Sequence, residues 1–197
     1  MTPSDFAKQI ASIVDEMTPS EPPDVIALSL GCEFVARAVV ELGAAVRSLT
    51  FISPTGFSRR QPPAPQAQRR LKRLFDFAGF GRGAFKLLRL ERSIRYFYGM
   101  NFSGFVPNEL VTYALKTTRQ SGAHEMPLQF LSMGLFTAKA AESLYSKLDV
   151  PVLVLFDKDP NVSFELFEEF EANPAWQFKR IAPVSYTHLT LPTRDDV

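Results

Sequence analysis

A chain of 197 residues, 46% hydrophobic and 22% charged, has enough apolar material for one core, with or without an insertion. A formal net charge of +1 argues against a general nucleic-acid binder, and the single cysteine, Cys32, excludes an intramolecular disulfide framework and fits a reducing compartment. No apolar run approaches a membrane span and Thr2-Pro3-Ser4-Asp5 lacks signal-peptide character, so the expected location is the cytoplasm.

In chain order, Thr2-Pro3-Ser4-Asp5 reads as a helix start: a hydroxyl cap, proline at the first helical position and an acid in the first turn. Phe6, Ile10, Ile13 and Met17 keep helical spacing and predict an apolar stripe. Thr18 to Pro23 breaks that helix. Val25, Ile26 and Leu28 form a short continuous apolar run, the pattern of a strand buried on both faces. Ser29-Leu30-Gly31 makes a tight turn. From Cys32 to Leu42, the residues Phe34, Val35, Ala38, Val39 and Leu42 share one helical face, and Gly43 supplies the positive φ that a helix end favours. Val46, Leu49, Phe51 and Ile52 return as a second buried strand. Strand, helix and strand form a βαβ unit.

From Arg59 the character changes. Gln61 to Gln66 is a proline-rich linker. Arg69 to Leu74 and Ala84 to Phe97 read as basic, aromatic helices, and Asn108 to Thr118 as another, with Leu128 to Leu135 continuing the series. The basic run Arg59, Arg60, Arg69, Arg70, Lys72 and Arg73 fits a solvated helix face; its alternative is a site for an anionic substrate group or an acyl carrier. Val150 to Leu155 is a third buried strand and runs into Phe156-Asp157-Lys158-Asp159-Pro160. Ser163 to Glu171 reads as a helix with Phe164, Leu166, Phe167 and Phe170 inward, and Trp176 to Ile181 alternates as a fourth strand. Asp157, Asp159 and Glu165 lack the spacing of an oxygen-rich metal loop, and no histidine pair supports them, so neither metal nor cofactor is expected.

The run Ala27-Leu28-Ser29-Leu30-Gly31, small-x-Ser-x-Gly between strand and helix, followed at this distance by Leu49-Thr50-Phe51-Ile52-Ser53-Pro54, resembles the nucleophile elbow of the α/β-hydrolase family. The family usually has Gly where this chain has Ala27, and often Gly or Ala at Cys32. The resemblance implies an α/β fold: a mostly parallel sheet flanked by helices, with a helical lid insertion. It places a hydrolase core at 1–58 and 141–183 and the lid at 59–140. It makes Ser29 the nucleophile, the Leu30 N–H an oxyanion donor, and Ala27 and Gly31 the small elbow positions that let the helix pass close. Asp159 falls on the acid of the triad, with Phe156 where the family often has Gly.

The family places four strands before the helix that opens this chain, and a loop among them gives the second oxyanion N–H. The resemblance therefore implies an incomplete domain, inactive by itself, whose activity belongs to a longer parent. His188 lies near where the triad histidine belongs. However, 184–197 resembles translated adapter sequence at the broken end of a reading frame, so this tail is expected to be non-native and His188 not to be the base. His124 reads as a polar lid residue. The implied function is hydrolysis or acyl transfer on a small carboxylic ester, thioester or amide. The expected partner is a small-molecule substrate with an apolar part, with no nucleic acid and no membrane span. The alternative is a non-catalytic relative that keeps the fold and acts by binding, a reading that Ala27 and Phe156 favour slightly.

Overall fold

The computed structural model describes residues 1–17, 21–76, 80–100, 102, 105–157 and 162–181. The chain divides into two units: Met1–Gln68 with Met133–Ala182, and a helical one whose described part is Arg69–Ser132.

The first unit opens with α1 (Pro3–Met17). Its start is a reciprocal cap: the Asp5 N–H reaches Thr2 Oγ1 at 3.3 Å and the Thr2 N–H reaches Asp5 Oδ2 at 2.7 Å. The expected stripe is corrected by the packing. Ala7 and Val14 are buried and Phe6 stacks on Phe34 at 4.6 Å, whereas Ile13 and Met17 face solvent. Then come β1 (Asp24–Leu28), α2 (Gly31–Leu42) and β2 (Ser48–Ile52). Gly43 ends α2 at φ 70°, with its N–H on the Val39 carbonyl and the Ala44 N–H on that of Ala38, so the last helical carbonyls are satisfied. Asp24 anchors both strand starts: it pairs with Arg47 and accepts the Ser48 hydroxyl at 2.7 Å, which holds its carboxyl well below the usual range.

The strands β3 (Val152–Phe156) and β4 (Trp176–Arg180) complete a parallel sheet in the order β1-β2-β3-β4 among the described residues. The register aligns Val25, Leu49, Val152 and Trp176 in one row, and Ala27, Phe51, Val154 and Phe178 in the next. These rows share one face, and α1, α2 and the turn Tyr145–Lys147 contribute to the core on it. The opposite face carries Ile26, Leu28, Ile52, Leu153 and Leu155. There Ile26 is 71% exposed, and the other four are half-buried. Among the described residues, the expected burial on both faces is complete on one face and partial on the other: an unbroken apolar run states what a strand can bury.

Phe57 centres the core's aromatic cluster. It is fully buried, stacked on Tyr145 at 4.7 Å and edge-on to Phe167, Phe170 and Trp176. Full burial of one such ring is worth about 1.5–3 kcal/mol. The segment 163–171 is not the expected helix. It contains one short 3₁₀ turn, Phe167–Glu169, and its phenylalanines at three-residue spacing match that period as well.

The helical unit receives α3 (Pro65–Asp76), which begins on the last proline of the expected linker, the favoured first helical position. It continues with α4 (Phe80–Leu88), α5 (Glu91–Gly99), α6 (Asn108–Thr117) and α7 (Glu125–Leu131). The expected helix 84–97 is broken at Arg89-Leu90, where the chain turns and α5 restarts. A short α8 (Ala140–Ser143) lies back in the first unit.

Candidate active site

Ser29 follows the last residue of β1 and precedes α2, at φ 52°. A side chain in the left-handed region costs about 1–2 kcal/mol, so the surroundings must hold it. They do. The Ser29 N–H donates to the Ile52 carbonyl at 2.8 Å, and the Ser29 carbonyl accepts from the N–H groups of Cys32 at 3.1 Å and Thr55 at 3.4 Å. Leu30 is already helical (φ −63°, ψ −25°), so its N–H belongs to the first turn of α2, where the helix dipole is positive. Ser53, at the end of neighbouring β2, is also left-handed (φ 43°), with its N–H on the Leu155 carbonyl at 2.9 Å. Both turns lie at the carboxyl end of the parallel sheet, the end at which open α/β sheets bind ligands.

Thr55 joins these turns to the core. Besides reaching Ser29, it accepts the hydroxyl of fully buried Tyr145 on its carbonyl at 2.9 Å and donates its own hydroxyl to Glu33 Oε1. Glu33 is only 1% exposed, and its other oxygen accepts the Thr137 N–H at 2.8 Å. Arg37 reaches Thr137 Oγ1 at 3.1 Å. Burial pushes the Glu33 carboxyl up, and the bonds from Thr55 and Thr137 and the charge of Arg37 pull it part of the way back. Gly56, at φ 91°, completes this corner: a Cβ there would sit 2.7 Å from the Ala140 Cβ. Beside it is a cavity of about 570 Å³ lined by Glu33, Thr55, Gly56, Arg60, Phe136 and Thr137, among others. Ser29 is not in its wall; Thr55 connects the two.

Glu33, Thr55, Gly56 and Tyr145 escape a reading of the sequence. The one signal is Glu33 itself, a carboxylate amid the apolar residues of α2 at the third position of the helix, where a side chain can turn back toward a loop. Ala27 is buried, but the crowding expected at Gly31 is absent: a Cβ built there meets no described atom within 4 Å. Asp157, at the end of β3, pairs with Arg180 at 3.2 Å. Asp159, His188 and the tail 184–197 lie outside the described residues. His124 precedes α7 in the helical unit, its ring 6.1 Å from that of Phe85.

By sequence the chain matches no family model and no curated protein. By structure it is similar to a hydrolase from Oleispira antarctica (TM-score 0.59, 17% identity, covering 92% of this chain and 64% of that one). It is also similar to an esterase from Exiguobacterium antarcticum (0.59, 13%, 91% and 65%) and to an α/β-hydrolase fold protein from Burkholderia ambifaria (0.56, 15%, 89% and 63%). The chain has the α/β-hydrolase fold. It spans less than two thirds of the length of these relatives, so what it holds is part of that fold. Within this α/β-hydrolase sheet, Ser29 occupies the turn between β1 and α2.

Proposed function

We propose that the protein acts as a serine hydrolase by acyl transfer on a small carboxylic ester, thioester or amide. The observation that carries this reading is the left-handed Ser29 between β1 and α2, a costly backbone conformation kept at the carboxyl end of the sheet. In the proposed reaction Ser29 Oγ attacks the substrate carbonyl, and the Leu30 N–H, at the positive end of α2, stabilises the oxyanion. Ala27 and Gly31 flank the nucleophile as the small residues of the elbow. Asp159, which falls on the family's acid position, is the proposed acid; its neighbour Asp157 pairs with Arg180. His188 is not the proposed base. The helices between 59 and 140 form the proposed lid over the substrate's apolar part.

The test is labelling by a fluorophosphonate probe in the longest reading frame that contains this sequence. Labelling that disappears in Ser29→Ala supports the reading. Labelling unchanged by that substitution refutes it, and no labelling of the parent in a folded state leaves the non-catalytic binding protein as the better account.

A further inference from the structure

The chain's charge is divided very unevenly. Between residues 69 and 132 there are eleven Lys and Arg against four Asp and Glu, whereas the whole chain has a net charge of +1. The helical unit is therefore strongly cationic and the rest of the chain anionic. The same unit exposes large apolar side chains: Leu74 is 57% exposed, Leu87 65%, Tyr96 66% and Tyr113 65%.

The two kinds of residue occur together on helix after helix. Arg70 and Leu74 are four apart on α3, Arg92 and Tyr96 four apart on α5, and Tyr113 and Lys116 three apart on α6, so each pair shares a helical face. Lys86 and Leu87 are adjacent on α4. All eight of these residues are exposed or, by their position on the helix, at the surface. Single exposed Leu or Tyr side chains are ordinary on a solvated face; here each of the four stands beside an exposed cation. A nucleic-acid duplex would use the cations and leave Leu74 and Leu87 without a role. Phosphate headgroups use both: cations at the lipid phosphates, Leu below them in the acyl region and Tyr at the boundary.

We infer that the helical unit 69–132 is a docking surface for an anionic lipid bilayer, lying on the interface without spanning it. None of the described helices is long and apolar enough to cross a membrane.

The test is flotation of the full chain with vesicles in a density gradient, which leaves aggregated protein at the bottom. The chain should float with phosphatidylcholine vesicles containing phosphatidylglycerol, should not float with phosphatidylcholine alone, and should be released by salt. Arg70→Gln/Lys86→Gln/Arg92→Gln should lower the partition about 100-fold, since each cation near such a surface contributes about fivefold. Leu74→Ser/Tyr96→Ser/Tyr113→Ser should lower it at least about tenfold at unchanged charge. The comparison of vesicle compositions with the unaltered chain needs no variant to fold. Failure to float with anionic vesicles, in the chain or, where the chain aggregates, in Ile26→Lys, overturns the inference. So does binding to a duplex oligonucleotide with the same salt dependence and no loss in the apolar variant, which would make the unit a general polyanion binder.

Discussion

At Ser29 the backbone is held against its own preference by three hydrogen bonds, to the end of β2, the first turn of α2 and the loop after β2. Relief of that strain should show in stability: Ser29→Gly should raise the denaturation midpoint or leave it unchanged, and Ser29→Val, branched at Cβ, should lower it by about 1–3 kcal/mol in urea unfolding. Gly56→Ala should cost a similar amount, because the new methyl meets Ala140 at φ 91°. Glu33 has a signature in pH. Its folded pKa is raised, so the folded state binds the proton more tightly than the unfolded chain. Its contribution is complete below the unfolded value near 4.5 and is lost as pH rises through the folded one. Glu33→Gln should remove that decline while keeping the brace, since the Thr55 hydroxyl can turn to accept from the amide. Parallel stability curves for the two proteins above pH 4.5 would contradict this assignment. The role of Glu33 could not be read from the sequence for a physical reason: its partners Thr55 and Thr137 lie 22 and 104 residues away, and nothing local announces them.

The elements of the sheet unit were legible where local signals agreed. Thr2, Pro3 and Asp5 announce the start of α1 and Gly43 the end of α2, and the apolar runs expected from Val25, Val46 and Val150 mark the strands, although β2 begins at Ser48 and β3 at Val152. The segment 163–171 failed because Phe164, Phe167 and Phe170, spaced by three, serve a 3₁₀ turn in an aromatic core as well as a helix. The stripe of α1 failed at Ile13 and Met17 because period alone does not fix which flank a neighbouring helix covers. Of the candidate site, the Ser29 turn could be read from its flanking elements, but Thr55 and Tyr145 could not, since their roles exist only once β2 lies beside β1 and the aromatic cluster has closed. The reciprocal cap at Thr2 gives this scale its own measurement. Thr2→Ala should cost about 1 kcal/mol and lower the melting point without altering fluorophosphonate labelling.

For the whole molecule, the consequential asymmetry is between the two faces of the sheet. Leu49, Phe51, Val152 and Val154 are sealed on one side, while Ile26 stands 71% exposed on the other, on the strand that borders the described sheet. An apolar face beside a strand edge invites a second chain. The chain should self-associate, and Ile26→Lys should reduce that association in light scattering with little change in unfolding midpoint; a monodisperse unaltered chain would refute the expectation. The aromatic cluster has an optical consequence. Trp176 is the sole tryptophan, 4% exposed and ringed by Phe57, Phe170 and Phe178, so its emission should be blue-shifted and should report on the sheet unit alone. Circular dichroism at the helical band takes more of its signal from α3 to α7 than from α1, α2 and α8. Recording both signals through one melt would show whether the cationic unit and the sheet lose structure together or one after the other.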